Sequence, residues 1–288
     1  MISFSGIWVK LAHVDPTAAA FYRGLFGGIV LMVLVWSGGR GLPRGINFYL
    51  ITAAAGLLLA LDLTLWHRSV FYIGPGLATI LANFQVFFLA AYGILILGER
   101  LTLKFALAAP LSLLGLMLLV GLEWRGLGPL YRTGLIFGLL AALAYSAYLL
   151  TLRQTQTAGD RQAPITTMAV VSLSIAFFSG LEVPLLGESF RIPDLQTWIV
   201  LIAYGICAQV LGWVFISKGL RSVEASRAGL VLLLQPALAF IWDVVFFGRS
   251  ASFREVMGAG LAIGAIYLGA SSRTITSAQS SEGRDQAG

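Results

Sequence analysis

FYIGPGLATILANFQVFFLAAYGILILGERLTLKFALAAPLSLLGLMLLV, the stretch from Phe71 to Val120, sets the architecture of this 288-residue chain. Two apolar runs, Ile73 to Leu97 and Phe105 to Val120, lie on either side of a short charged segment that contains Glu99. A helix needs about 17–25 apolar residues to cross the hydrocarbon core of a bilayer. Each run therefore predicts a membrane-spanning helix, the second of them only just long enough.

A weaker copy of this stretch lies 150 positions further along the chain, from Arg221 to Ala270. The overall identity between the copies is no higher than their apolar composition would give by chance. The polar positions inside the apolar runs nevertheless coincide, because Gln85 corresponds to Gln235 and Gly98 corresponds to Gly248. We interpret the chain as a duplicated membrane unit.

The composition agrees with a membrane protein. Hydrophobic residues make up 58% of the chain and charged residues 11%, whereas a soluble domain has about 25% charged residues. The net charge of +6 is spread over short loops and forms no patch with interleaved aromatic residues, so nucleic acid is excluded as a partner. A single cysteine, Cys207, excludes a disulfide framework and a Cys-rich metal site.

Ten spans fit the hydropathy pattern. The first has only about eleven residues, so either the sequence begins inside the first helix or that helix is unusually short. The ten spans are Ile2 to Ala12, Thr17 to Trp36, Ile46 to Trp66, Ile73 to Leu97, Phe105 to Val120, Gly134 to Leu152, Ile165 to Leu186, Trp198 to Ser217, Val223 to Phe247 and Val256 to Ala270. The sequence thus predicts an all-α polytopic membrane protein with ten transmembrane helices. Residues 1–122 form the first five-helix repeat, 133–270 the second, and 271–288 a disordered cytoplasmic tail.

The basic residues predict the orientation. With a cytoplasmic N-terminus, eleven Lys and Arg residues fall in the inner loops and tail and six in the outer loops, which favours both termini inside. Five spans per repeat is an odd number, so the second repeat must be inverted in the membrane. Inverted repeats are typical of secondary transporters, whose substrate site lies near mid-membrane between the repeats.

Short motifs resemble a known family. Asp15-Pro16 followed by Ala18 to Arg23, the loop Leu97 to Thr102, and Gly115 resemble the drug/metabolite transporter (DMT) superfamily, EamA type. Within it, the chain most resembles the YddG-type exporters of aromatic amino acids. The loop of the second half departs from the pattern, since no glutamate follows Gly248. The resemblance implies a secondary transporter in a bacterial inner membrane that exports small amphipathic metabolites, aromatic or hydrophobic amino acids above all, by alternating access.

Neutral amides and aromatic rings inside the spans predict a substrate cavity. An amide can donate to a carboxylate and accept from an ammonium group, and aromatic rings stack on an apolar side chain. The candidates are Trp8, Trp66, Thr79, Asn83, Gln85, Tyr145, Tyr148, Gln209, Trp213 and Gln235. The alternative is that these amides join helices and that the tryptophans lie at the membrane interfaces.

Charges and prolines within the spans have two interpretations each. Lys10 or Arg23 can pair with Asp62 or Asp243, or one of the two aspartates can carry a proton for antiport. Pro236 and Pro110 are candidate hinges, because a proline removes one helical hydrogen bond. Three Gly-xxx-Gly pairs, Gly24/Gly28, Gly134/Gly138 and Gly260/Gly264, predict close helix contacts.

Other classes of function are disfavoured by the sequence. The two histidines lie at span ends, and no H-E-x-x-H motif or paired mid-span aspartates indicate an intramembrane enzyme. No rings of charge or carbonyls indicate a channel.

Another metabolite or drug class is the alternative substrate. No catalytic residue, cofactor or metal is expected; the expected partners are a small-molecule substrate and the lipid bilayer. We expect a monomer, with a dimer as the alternative.

Overall fold

A computed structural model describes residues 2–39, 42–43, 45–120, 131–157, 164–248 and 250–271, and all secondary structure in them is helical. The helices are α1 (Ser5–Leu11), α2 (Pro16–Ser37), α3 (Ile46–Ala82), α4 (Gln85–Leu95), α5 (Leu103–Val120), α6 (Tyr131–Thr157), α7 (Pro164–Leu185), α8 (Leu195–Tyr204), α9 (Trp213–Leu220), α10 (Ala225–Leu232), α11 (Leu234–Phe247) and α12 (Phe253–Ala270). A 3₁₀ turn, Ile2–Phe4, precedes α1, and a π-helical segment, Gly205–Gly212, joins α8 to α9.

Nine helical segments of the described residues are long and apolar enough to cross a membrane. They are Pro16–Ser37, Ile46–Ile73, Leu77–Leu95, Leu103–Val120, Tyr131–Thr155, Pro164–Leu185, Leu195–Leu220, Ala225–Phe246 and Phe253–Ala270. The remaining predicted span is the short apolar helix Ile2–Leu11. The predicted all-α polytopic fold is confirmed. The predicted tail lies almost wholly outside the described residues, which end at 271.

Helix α3 contributes to two spans. Its 37 residues would measure about 55 Å if straight, far more than the ~30 Å of a hydrocarbon core. A Cβ built on Gly138 would touch both Ser69 and Leu81, which would be about 18 Å apart along a straight helix. The segment from Ser69 to Leu81 is therefore not straight, and α3 contributes to two separate spans, Ile46–Ile73 and Leu77–Leu95.

The distribution of polar and apolar side chains is that of a protein dissolved in lipid. Large apolar side chains such as Leu107, Phe177 and Phe215 are exposed, whereas Thr167 and Gln209 are fully buried. In water such an apolar surface would be an interaction site or a cause of aggregation. In a bilayer it is the solvent-facing surface, and the polar groups must find partners inside the bundle.

Glycines bring corresponding helices of the two halves into contact. A Cβ on Gly24 of α2 would meet the backbone of Ser172 and Ala176 in α7. Gly115 of α5 likewise lies against Gly258 and Ala262 of α12. The predicted pair in α12, Gly260 and Gly264, faces open space, because a Cβ added at either glycine would have no atom within 4 Å. Gly258 makes the close contact instead.

Pro236 explains a break in the ninth span. A proline has no N–H to donate to the carbonyl four residues earlier, and its ring clashes with that carbonyl. Here the carbonyl belongs to Leu232, where α10 ends, and α11 begins at Leu234 after a single turn residue. Pro110 does not interrupt its helix, since α5 continues through it.

The fourth span breaks at the corresponding position without a proline. Asn83 and Phe84 form a turn between α3 and α4, and Asn83 lies 150 positions before Leu233, the turn residue of the ninth span. The Asn83 side chain donates through Nδ2 to the Thr79 carbonyl at 2.7 Å. Its backbone N–H and that of Phe84 form short-range bonds to Ile80 and Leu81, as in a 3₁₀ turn.

Glu99 ties the loop after α4 to the N-terminus of α10. Its carboxylate accepts from the backbone N–H of Ala225 (2.8 Å) and of Ser226 (3.2 Å), and from the Ser226 hydroxyl (2.7 Å). Gly98 just before it has a φ of 66°, the left-handed conformation that ends a helix. Because the first N–H groups of a helix lack partners and carry partial positive charge, a carboxylate stabilises this terminus.

Glu188 repeats this arrangement after α7. It follows Gly187, with a φ of 73°, and its carboxylate accepts from the N–H groups of Thr17 and Ala18 and from the Thr17 hydroxyl. It thereby caps α2. One carboxylate from each half of the chain thus caps a helix of the other half.

Substitution of the contact glycine separates packing from helix propensity. We expect Gly115→Ala to destabilise the protein by about 1–3 kcal/mol, because the new Cβ overpacks the seam with α12. Gly260→Ala is the matched control, because it meets open space and gains up to about 1 kcal/mol of helix propensity. Thermal unfolding of the purified chain in detergent measures both. An unchanged melting temperature for Gly115→Ala would contradict the close contact.

Candidate functional site

An aromatic cluster joins α6 to the start of α9. Tyr145 and Tyr148, one turn apart in α6, both pack edge-on against Trp213 at the start of α9. The centroid of the Trp213 ring lies 4.9 Å from that of Tyr148 and 6.3 Å from that of Tyr145. These three predicted site residues are brought together, and they present ring faces and edges for stacking.

Gln209 lies one turn before Trp213, within the π-helical segment. Its Nε2 donates to the Ser172 hydroxyl at 2.9 Å, and its side chain is fully buried. Gly27 of α2 makes room for it, since a Cβ there would lie 2.6 Å from the Gln209 Cβ. π-helical turns are rare and often occur at functional sites; here the extra residue per turn changes the direction in which Gln209 points relative to Tyr204.

Several buried polar atoms have no hydrogen-bond partner among the described residues. They are Ser5 Oγ, Trp8 Nε1, Arg23 Nε and Nη2, Gln85 Oε1, Tyr148 Oη, Gln209 Oε1, Trp213 Nε1 and Ser217 Oγ. Leaving one such group unpaired costs about 1–3 kcal/mol. Native proteins normally pair these groups with protein, water or ligand. These atoms make the interior of the bundle locally polar and leave donors and acceptors there without a protein partner in the part of the chain that the structure describes.

Arg23 contributes the charge of this interior. It is 6% exposed, its Nη1 donates to the Tyr204 hydroxyl at 3.1 Å, and its guanidinium lies 5.4 Å from the centre of the Tyr204 ring. Asp62 of α3 is within electrostatic range of it. Gly27, one turn after Arg23 in α2, packs against Gln209. Gln209 lies one turn before Trp213, so the charged and aromatic groups lie along one contact between helices.

The predicted amides of the fourth and ninth spans are located at the helix breaks. Gln85 is buried at the start of α4, where its backbone carbonyl accepts from Ser146. Gln235 is half-buried next to Pro236. Thr79 and Asn83 bond to each other within the first break. The four residues thus lie at, or within about one turn of, the breaks in the fourth and ninth spans.

The remaining candidates lie apart from the aromatic cluster. Trp66 is half-buried and packs on His67, and Trp8 packs in a separate apolar cluster with Tyr22 and Leu201. Lys10 is exposed. The side chain of Asp243 lies outside the described part of the structure, so its predicted pairing stays a prediction.

Two carboxylates that cap helices, Glu99 and Glu188, were not among the predicted site residues. The signal is present in the sequence, because Leu-Gly-Glu occurs at 97–99 and again at 186–188. Both occurrences end an apolar run with a glycine followed by an acid. Comparison at an offset of 150 misses this repetition, since the two motifs are 89 positions apart.

A polar cluster outside the spans has a structural explanation. The Asp194 carboxylate, at the N-terminus of α8, is 2.7 Å from His13 Nδ1 and accepts from the Thr197 N–H at 2.7 Å. The hydrogen bond from His13, and then the bonds from Thr197, lower the pKa of Asp194 to about 2. In the described residues no three His, Cys, Asp or Glu side chains are grouped to hold a metal ion.

An apolar helical bundle with ionisable and amide groups buried in its interior is the arrangement of membrane transporters. A profile of the EamA-like transporter family matches residues 1–121 and again residues 132–270. The chain belongs to the EamA-like transporter family. It is therefore a transporter and not an enzyme, and its resemblance to the EamA type of the DMT superfamily is confirmed.

Relatives and a solved structure agree with this assignment. The chain is 24% identical to the pseudopaline exporter CntI of Pseudomonas aeruginosa over 88% of its length and 87% of that protein. It is also 24% identical to a probable amino-acid metabolite efflux pump of Salmonella typhimurium, over 69% of this chain and 68% of that one. A crystal structure that is 20% identical matches the fold with a TM-score of 0.79 over 93% of both chains.

Proposed function

We propose that this protein exports small amphipathic metabolites, aromatic or hydrophobic amino acids in particular, from a bacterial cytoplasm across the inner membrane. The observation that carries the proposal is the Tyr145–Tyr148–Trp213 cluster beside unpaired buried polar atoms. Rings bind an apolar side chain, and the Gln209 amide oxygen and the Trp213 and Tyr148 polar atoms remain for a polar head group. The amino-acid metabolite efflux relative supports the same class of substrate.

The relatives also favour a second candidate, export of a different metabolite. The pseudopaline exporter matches over a larger share of the chain than the amino-acid metabolite pump, 88% against 69%. A transport assay over the twenty amino acids separates the two candidates. Saturable uptake of an aromatic amino acid supports the first, and uptake of none of the twenty supports the second.

Alternating access follows from two inverted repeats, 1–122 and 133–270, with both termini cytoplasmic. By counting crossings, Glu99 and α10 lie after spans four and eight, at the cytoplasmic face. Glu188 and α2 lie after spans seven and one, at the outer face. Each face is thus closed in part by a carboxylate of one repeat that caps a helix of the other. We treat these two caps as latches, whose release opens one face at a time. The protein functions as a monomer in this scheme.

Removal of the central ring tests the site. We expect Trp213→Ala to lower uptake of the preferred amino acid into proteoliposomes at least tenfold, because an aromatic contact is lost together with its N–H. Trp36→Ala is the control, since Trp36 is 66% exposed at the end of α2. Equal expression and an unchanged elution profile verify folding. Normal transport by Trp213→Ala would place the substrate elsewhere.

Neutralisation of either latch tests alternating access. Losing a helix cap costs about 1 kcal/mol, which shifts a two-state equilibrium about fivefold. A reporter cysteine, Ser172→Cys in a Cys207→Ser background, is labelled with an impermeant maleimide from each side. We expect Glu99→Gln to increase labelling from the cytoplasmic side and Glu188→Gln to increase it from the outer side.

The matched control for the latches is Glu224→Gln, because Glu224 adjoins α10 but pairs with Arg227 of the same helix at 3.1 Å. It should leave both labelling rates unchanged. If both latch variants raise labelling from the same side, the two carboxylates do not act on opposite faces.

A further inference from the structure

The guanidinium of Arg23 presents an unused pair of donors inside the membrane. Of its three nitrogens, Nη1 bonds to Tyr204, whereas Nε and Nη2 are buried and have no hydrogen-bond partner in the described part of the chain, Asp62 included. Nε and Nη2 lie on the same edge of the planar guanidinium. Their N–H bonds therefore point in parallel, as a carboxylate requires for two simultaneous hydrogen bonds.

The surroundings hold Arg23 in place but do not neutralise it through contact. Tyr204 fixes one end of the guanidinium through a hydrogen bond and a ring contact. Asp62 of α3 forms no hydrogen bond with Nε or Nη2 of Arg23. A buried charge without a bonded counter-charge is expensive in a membrane and commonly marks a ligand site.

Arg23 also adjoins the aromatic and amide groups. Gly27, one turn later on the same face of α2, packs directly on Gln209. Tyr204 precedes Gln209 by five residues, which is about one turn of a π-helix, and Trp213 follows one α-helical turn later. The contact between α2 and the eighth span therefore carries, in order, the Nε and Nη2 donors of Arg23, the Gln209 amide and the Trp213 ring.

We infer that Arg23 binds a carboxylate group of the transported molecule through Nε and Nη2, and that the transporter therefore selects carboxylate-bearing substrates. The inference rests on the proposed function, because it assigns the head group of the substrate whose side chain contacts Trp213. A single arginine suits one carboxylate. Lys10, another cation within the predicted spans, is exposed and outside this site.

Matched analogues test the carboxylate contact. Binding of L-phenylalanine, L-phenylalaninamide and phenethylamine to the purified full chain is measured by thermal stabilisation and by competition for uptake of the preferred amino acid. L-Phenylalaninamide keeps the ring and the ammonium group and lacks only the carboxylate. We expect the wild type to bind the acid at least tenfold more tightly than the amide, since a charge-assisted bidentate pair is lost.

Variants at position 23 test whether the Arg23 guanidinium causes the preference for the acid over the amide. Arg23→Lys keeps the positive charge without the two parallel donors, and Arg23→Gln removes the charge. The acid-to-amide ratio should fall to about one in Arg23→Gln and to an intermediate value in Arg23→Lys, because an ammonium attracts a carboxylate without the bidentate geometry. Binding of phenethylamine should stay within about twofold of wild type in both. Arg221→Gln is the control, because its side chain is exposed outside the spans, and it should retain the wild-type ratio.

The outcomes separate this inference from the proposed function. An undiminished ratio in Arg23→Lys and Arg23→Gln, a parallel loss of acid and amine binding, or no binding of any carboxylate to the wild type would each overturn the carboxylate contact. Trp213-dependent transport of a compound without a carboxylate would overturn it and leave the exporter intact. If acid binding depends on Arg23 but is unchanged in Trp213→Ala, the aromatic site is overturned and the contact between Arg23 and the carboxylate is supported.

Discussion

The absence of water in a bilayer core is the constraint on which this structure depends. Every backbone and side-chain polar group within the spans needs a partner from the protein or a ligand. Most of the chain meets this requirement with regular helices, and serines such as Ser112 bond back to their own helix. The exceptions are the breaks at Asn83–Phe84 and Leu233 and the π-helical segment; Asn83, Leu233 and five of the eight π-helical residues are buried. Irregular backbone at membrane depth is tolerated only in such protected places.

The sequence predicted the spans because hydropathy over about 20 residues reports directly on the solvent of a helix. The bounds agree closely where a loop is polar, as at Pro16 and Ser37 for α2. They agree less well at the third span, which continues to Ile73, because the turn into the fourth span needs few polar residues. The grouping of Tyr145 and Tyr148 followed from helical periodicity alone. Their contact with Trp213 required knowledge of how α6 packs on α9.

Contacts between distant segments could not be predicted from the sequence, for physical reasons. By sequence Glu99 is a charged loop residue, and only the position of α10 reveals that it caps a helix 126 positions away. Pro110 and Pro236 are equivalent as local signals, yet only Pro236 coincides with a break. Tertiary packing decides whether a helix yields at a proline, and a single sequence does not contain that information. Arg23 was predicted as half of an ion pair, because only the three-dimensional structure shows that its Nε and Nη2 have no hydrogen-bond partner among the described residues.

The scaffold is more symmetric than the site. The breaks in spans four and nine are 150 positions apart, and α2 with α7 and α5 with α12 pair through glycines. At the same offset, however, Arg23 corresponds to Leu173 and Gln209 to Leu59, so neither polar group has a polar counterpart. The N-terminal half of the chain supplies the cation, and the C-terminal half supplies the amide and the rings. In the proposed site a substrate would therefore place an anionic group at the first half and an apolar group at the second, because only the second half contributes the rings.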